Sequence, residues 1–154
     1  MIKNFPFILL ILIFLNTCGF KIINTKENNY KISNIENENK NIESYKLKNK
    51  LKLISNLNSS NEIDIKFNLS KEKLVSEKNI NNEITKYDLI INVKLFLKNK
   101  SSDYNFEKDF SASTNYGVGK VYSENLNSER IKSELLIEKI LNDIRTYLNS
   151  KYNL

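Results

Sequence analysis

The strongest alternation of apolar and polar residues in the chain runs from Tyr87 to Leu97. Every second position is apolar or aromatic: Tyr87, Leu89, Ile91, Val93, Leu95 and Leu97. Two further apolar residues, Ile90 and Phe96, occupy positions between these. A period of two places the two sets on opposite faces of a β-strand. A strand with apolar positions on both faces is typical of the middle of a sheet, and we predict a central strand over residues 84–98.

Three further segments predict strands by the same criterion. Tyr30–Ile35 alternates loosely, Ile63–Leu69 alternates strictly, and Tyr104–Ala112 alternates aromatic with polar residues. Residues 70–82 form either a charged connection or an extension of the hairpin. Two of the three glycines lie in Thr114–Lys120, which predicts a turn there.

Two segments instead repeat apolar residues at spacings of three and four, the pattern of amphipathic helices. The first repeat contains Ile42, Tyr45, Leu47, Leu51, Ile54 and Leu57. The closing repeat contains Leu126, Ile137, Ile140, Leu141, Ile144 and Leu148, flanked by Leu136 and Tyr147. Ser123 or Asn125 is a suitable N-cap for the closing helix.

These elements predict an α+β fold in the order β-α-β-β-β-α. We expect a two-layer sandwich, in which a four-stranded, mainly antiparallel sheet carries both helices on one face. Ile91 and Val93 should then be buried against Ile140 and Ile144. Residues 30–154 would form this single domain, preceded by a polar tether over residues 18–29.

The first twenty residues have the layout of a bacterial export signal. Lys3 gives a short basic start, an apolar run extends from Phe5 to Leu15, and Asn16-Thr17 leads to Cys18, the only cysteine. A thiol at this position can carry a diacylglycerol before the signal is removed. We therefore predict a lipoprotein signal peptide over residues 1–17 and a lipid attachment site at Cys18.

Two other interpretations of this segment remain open. An uncleaved transmembrane anchor needs about 20 apolar residues, and the apolar run is shorter and contains Pro6. A plain secretory signal would leave Cys18 as an ordinary thiol. The lipoprotein interpretation explains why the single cysteine directly follows the apolar run.

The composition restricts the chemistry that the chain can perform. The sequence has no histidine and one cysteine, which excludes Ser–His and Cys–His catalysis and histidine-based zinc sites. Carboxylates are scattered among lysines. We expect a protein that is not an enzyme, with no catalytic residue, no metal site, no cofactor and no nucleic-acid partner. The formal net charge of +6 favours an anionic partner only weakly, because lysine is abundant throughout the chain.

Cys18-Gly19-Phe20 follows the apolar run, an aromatic strand is predicted over Phe106–Tyr116, and a charged helix runs from Ser128 to Leu148. In these features, and in length and element order, the sequence resembles the LPS-assembly lipoproteins (LptE-like). Lysine, asparagine and isoleucine replace the alanine and arginine that are usual in the family's final helix. The resemblance implies a lipid-anchored subunit on the periplasmic face of the outer membrane, with Cys18 as the residue that transfers directly. Its partners would be lipopolysaccharide and the outer-membrane β-barrel translocon that delivers it, which this subunit plugs and helps to assemble.

Gly19 supports the outer-membrane destination, because aspartate at this position favours inner-membrane retention in many Gram-negative bacteria. Lys98 and Lys100, near the end of the long central strand, are candidate contacts for lipid A phosphates. Two alternatives stay open: an unrelated periplasmic lipoprotein that acts as an adaptor of a transporter or envelope complex, and a lipid-anchored enzyme or small-ligand binder. A deep pocket with convergent polar groups would favour the last of these.

We expect the mature protein to begin at a lipidated Cys18. Mass spectrometry of the membrane-extracted protein should find the acyl groups on this residue, and Cys18→Ala should leave a precursor that is neither acylated nor cut at this site. An N-terminus elsewhere, or an unmodified Cys18, would contradict the prediction.

Overall fold

The computed structural model describes residues 28–100 and 105–152. The predictions for the signal peptide 1–17, for Cys18, for most of the tether and for Tyr104 lie outside the described residues.

The described residues form a four-stranded sheet and two helices. The elements in chain order are β1 (Lys31–Asn37), α1 (Ile42–Leu53), β2 (Glu62–Lys78), β3 (Ile84–Asn99), β4 (Asn105–Gly117) and α2 (Tyr122–Tyr152). The strands lie in the order β1-β2-β3-β4, with β1 parallel to β2 and the other neighbours antiparallel. The helices contact each other and lie against the sheet, so the predicted α+β architecture is confirmed.

The core lies between the two central strands and the helices. Phe67 of β2 is paired with Leu95 of β3, and Leu69 with Val93, so the apolar positions of both strands share one face. The side chains expected to meet are all buried: Ile91, Val93, Ile140 and Ile144 are no more than 1% exposed. Burying an aliphatic side chain of this size contributes about 1.5–3 kcal/mol.

Helix α1 begins with a capping box and ends earlier than the apolar repeat predicts. Asn41 accepts a hydrogen bond from the Ser44 backbone N–H, and the Ser44 hydroxyl accepts one from the Asn41 N–H. The helix ends at Leu53, where the Ile54 N–H reaches the carbonyl oxygens of Leu51 and Lys52.

Only part of the predicted apolar stripe of α1 is therefore buried. Leu47 and Leu51 lie in the core and Ile54 packs at its edge. Ile42, Tyr45 and Leu57 are predicted on the same stripe but are exposed. Ile42 is the first residue of the helix and Leu57 lies beyond its end, whereas Tyr45 lies on a different side from the buried Leu47 and Leu51.

Residues 70–78 extend the hairpin, which confirms one of the two interpretations of this segment. Strand β2 continues to Lys78 and pairs with β3 as far as Ile84. Asn79 closes the turn, because its side-chain oxygen accepts hydrogen bonds from the backbone N–H groups of Asn81 and Glu83. Asn82 adopts a positive φ of 62°, which asparagine tolerates better than most residues. We call residues 79–83 the hairpin tip.

The boundary between β4 and α2 differs from the predicted one. Strand β4 continues through Tyr116 to Gly117, so most of the segment predicted as a turn is strand. Helix α2 begins at Tyr122, which places both predicted caps, Ser123 and Asn125, inside it. The Asn125 side chain instead accepts a hydrogen bond from the Gly119 N–H and donates one to the Gly119 carbonyl.

The start of α2 lies beyond the apolar core. Leu126 was predicted on the buried stripe and is 49% exposed, whereas the buried positions run from Ser133 to Leu148. In the described part of the chain, no helix combines the length and the apolarity that crossing a bilayer requires.

We expect Ile140→Asp to destabilise the domain by about 3–5 kcal/mol, because it removes a core side chain and buries an unpaired carboxylate. Leu135→Asp is the matched control, since Leu135 lies on the same helix and is 57% exposed. Thermal and denaturant unfolding should separate the two variants. Equal melting of Ile140→Asp and the parent would show that the helix face is assigned wrongly.

Candidate docking face of the sheet

The face of the sheet opposite the helices is polar and open to solvent. Because side chains alternate along a strand, each strand sends one set into the core and the other set to this face. The outward set includes Asp64, Lys66, Asn68, Asn92, Lys94, Lys98, Glu107, Asp109 and Ser111. Charges of both signs are interspersed on it.

A groove of about 570 Å³ crosses this face near the end of β3. Phe96 lies at its centre, since its register partners are Lys66 on β2 and Glu107 on β4. The lining residues are Asn34, Glu36, Asp64, Ile65, Lys66, Phe96, Leu97, Lys98, Asn105, Phe106 and Glu107. A groove with an aromatic side chain at its centre and charged side chains around it suits a contact that is partly apolar and partly hydrated.

Ion pairs across the strands fix the positions of several of these side chains. Lys66 Nζ lies 3.0 Å from Glu38 Oε1, and Lys94 Nζ lies 2.5 Å from Glu107 Oε1. The hydrogen bond from Lys66 lowers the pKa of Glu38, and the hydrogen bond to Glu107 raises the pKa of Lys94. These pairs are solvated, so they contribute more to side-chain orientation than to stability.

Lys98 and Lys100 lie at the same end of the face in different surroundings. Lys98 belongs to β3 and lines the groove; among the described residues no carboxylate lies within ion-pair distance of it. Lys100 Nζ is 3.5 Å from Glu62 Oε2 and 3.9 Å from Asp64 Oδ1. The charge of Lys100 is therefore partly balanced, and Lys98 is the better placed of the two to receive an anion.

Sequence reasoning missed the other residues of the groove. Lys66, Phe96 and Glu107 come from three strands, and each could be placed on the outward face from alternation alone. Their meeting depends on the strand register, which no local motif indicates. Within residues 28–100 and 105–152, no three histidine, cysteine or carboxylate side chains are grouped to hold a metal ion.

A second charged cluster lies on the helix side of the sheet, where the core ends. Lys71 Nζ is 2.8 Å from Glu43 Oε1 and 3.0 Å from Glu129 Oε1. Lys73 Nζ is 2.8 Å from Glu129 Oε2, which also accepts a hydrogen bond from the Tyr116 hydroxyl. The cluster joins β2 to both helices and to β4.

Glu129 is the centre of this cluster and is only 18% exposed. Burial opposes its ionisation, but hydrogen bonds from Lys73, Lys71 and Tyr116 outweigh burial and lower its pKa to about 2. Lys73 also lies 4.3 Å from the centre of the Tyr87 ring. We interpret the cluster as structural, because each of its charges already has a partner of opposite sign.

Several solved lipoproteins share this fold. Rare lipoprotein B from Shewanella oneidensis is 11% identical to this chain, with a TM-score of 0.60 over 80% of this chain and 97% of that one. A minor lipoprotein from Acinetobacter baumannii is 13% identical, with a TM-score of 0.57 over 80% of this chain and 94% of that one. Lipoprotein B from Nitrosomonas europaea is 12% identical, with a TM-score of 0.51 over 85% and 88% of the two chains.

The chain has the fold of these lipoproteins. No family model and no curated protein matches its sequence. The likeness therefore rests on the arrangement of strands and helices, and at 11–13% identity it assigns no individual side chain.

We expect Glu129→Gln to cost about 2 kcal/mol at neutral pH, since it removes the charge that accepts hydrogen bonds from two lysines. The pKa of Glu129 in the folded protein, about 2, lies below its ordinary value of 4.5. Its contribution is therefore complete above the ordinary value and is lost as the pH falls towards 2.

Denaturant unfolding at neutral pH and at about pH 3 measures this dependence. The difference in stability between the parent and Glu129→Gln should shrink in acid. Glu72→Gln is the control, because Glu72 is exposed on β2 and the described residues offer it no ion-pair partner. A difference that does not change with pH would contradict the assigned role of Glu129.

Proposed function

We propose that this chain is a lipid-anchored subunit of the outer membrane that plugs a β-barrel translocon and helps to assemble it. The barrel in this proposal delivers lipopolysaccharide to the cell surface. The observation that carries the proposal is the fold that this chain shares with rare lipoprotein B. The N-terminal sequence of this chain independently resembles that of the LPS-assembly lipoproteins.

The domain is elongated, and its ends differ in a way that suits a plug. The described chain starts at Asn28, whose side chain donates a hydrogen bond to the Ile54 carbonyl beyond the end of α1. We call the end of the domain that contains Asn28 and the last turn of α1 the tether end. Lys31 pairs with Glu62, so the tether end is level with the start of β2, whereas the hairpin tip follows the end of β2. The 17 residues of β2 separate the two ends by roughly 50 Å.

The surface between these ends suits a partner that is lined by polar side chains. The helix-free face carries both signs of charge and several amides and hydroxyls, and interfaces of this type bind through hydrogen bonds and bridging water. A β-barrel lumen presents such a surface, because its strands alternate lipid-facing apolar residues with lumen-facing polar ones. The proposal places the hairpin tip inside the barrel and the tether end on its periplasmic side.

Lipopolysaccharide contact is a finer part of the proposal. Lys98 lines the groove beside Phe96, so a phosphate and an adjoining apolar group would each find a suitable side chain there. Lys100 contributes less because Glu62 and Asp64 hold it. We propose assembly as the role of the chain instead of catalysis, given a sequence without histidine and with its one cysteine assigned to the lipid.

Detergent extraction of the intact lipoprotein should co-purify an outer-membrane β-barrel in a complex that survives mild detergent. Depletion of the chain should reduce both the correctly assembled barrel and the lipopolysaccharide at the cell surface. The depletion strain complemented with the parent gene is the control for indirect effects on the envelope.

A different envelope complex in the purified fraction, with barrel assembly and surface lipopolysaccharide unchanged on depletion, would contradict the proposal. The chain would then act as an adaptor of that complex. Fractionation that places the protein wholly with inner-membrane markers would contradict the outer-membrane placement separately.

A further inference from the structure

Helix α1 presents large apolar side chains to solvent at the tether end. Leu53 is 84% exposed in the last turn of the helix, and Leu57 is 77% exposed in the segment that follows. The two leucines are four residues apart in the sequence, and apolar surface that is exposed in one place is typical of an interaction site.

Lysines accompany these leucines. Lys48 and Lys52 are four residues apart and therefore lie on one side of α1. The other two lysines of the helix, Lys46 and Lys50, are paired with Glu134 and Glu138 of α2. Among the described residues, no carboxylate lies within ion-pair distance of Lys48 or Lys52, so the surface combines apolar groups with positive charge that is not neutralised.

The chain enters the domain beside this surface. Asn28 is fixed between the helices, since it donates to the Ile54 carbonyl at 2.6 Å and accepts a hydrogen bond from Arg145 Nε at 3.4 Å. Nine residues lie between Cys18 and Asn28, and the ten steps from one to the other span at most about 36 Å at full extension. A membrane that holds a lipid on Cys18 is therefore within reach of this end of the domain.

From these three observations we propose that Lys48, Lys52, Leu53 and Leu57 form a contact surface for anionic phospholipid in the membrane that holds the anchor. The leucines enter the boundary between headgroups and acyl chains, and the lysines lie against phosphates, as in other cationic amphipathic surfaces. The inference rests on the proposed lipid anchor at Cys18. It describes how the free lipoprotein lies on its membrane before it meets a protein partner.

Accessibility of a single introduced thiol tests this contact in the lipidated full-length protein. Acylation consumes Cys18, so Leu53→Cys supplies the one free thiol of the chain. Leu74→Cys is the matched control, because Leu74 is 51% exposed on the β2–β3 hairpin, away from the tether end. Each variant is reconstituted in vesicles of phosphatidylethanolamine and phosphatidylglycerol, and its reaction with a membrane-impermeant maleimide is followed.

We expect Leu53→Cys to react several-fold more slowly than Leu74→Cys in these vesicles. The difference should shrink in vesicles of phosphatidylcholine alone, and also when Lys48→Glu and Lys52→Glu are added to Leu53→Cys. Matching melting temperatures would establish that each variant is folded.

Equal rates at the two positions on vesicle-bound protein would overturn the inference and leave the anchor intact. If Leu53→Cys reacts just as slowly in vesicles of phosphatidylcholine alone, the contact does not require anionic phospholipid, and that part of the inference is overturned. Slowing that depends on protein concentration would show contact with a second copy instead of lipid. Failure of the lipoprotein to float with vesicles would contradict the proposed anchor itself.

Discussion

β2 and β3 pair along the whole hairpin, from Ile63 opposite Asn99 to Lys78 opposite Ile84. This register aligns the apolar positions of both strands on one face, because side chains in neighbouring strands share the same pleat. A slip of one residue would move the leucines and isoleucines of one strand to the solvent face. The helices are held on the sheet only while this face is continuous. The outward groove depends on the same pairing, since it brings Lys66 beside Phe96.

The hairpin changes character where the apolar core ends. On the core side of β2, Leu69 is followed by Lys71 and Lys73, which bind Glu129 instead of packing in the core. The charged cluster closes the apolar layer and leaves the rest of the hairpin exposed. The result is a domain with a polar projection at one end and Asn28, where the described chain begins, at the other. This asymmetry is what the proposed plug role uses.

Much of the fold could be predicted from periodicity. Alternation over Tyr87–Leu97 identifies the central strand, and the spacing around Ile140 identifies the closing helix, because burial on one face selects the residue types directly. The extension of β2 through residues 70–78 is harder to predict, since it is mostly polar, leaves Leu74 and Val75 exposed, and is held by pairing instead of burial. The sequence predicts an end for β4 that is too early, because the glycines in Thr114–Lys120 indicate a turn. In the structure the strand continues, and Tyr116 packs against Tyr87 with ring centroids 5.8 Å apart. The cluster of Glu43, Lys71 and Glu129 forms only in the folded chain, because these residues are far apart in the sequence. No local sequence motif therefore predicts it.

Site-specific photo-crosslinking in growing cells tests the plug role most directly. A photoreactive residue replaces Ile80, which is fully exposed at the hairpin tip, and in a parallel strain it replaces Leu53 at the tether end. The account predicts that the tip crosslinks to the lumen of an outer-membrane β-barrel, and that position 53 does not reach the lumen. Crosslinks from the tip to an inner-membrane or soluble periplasmic protein, with no barrel among the products, would contradict it.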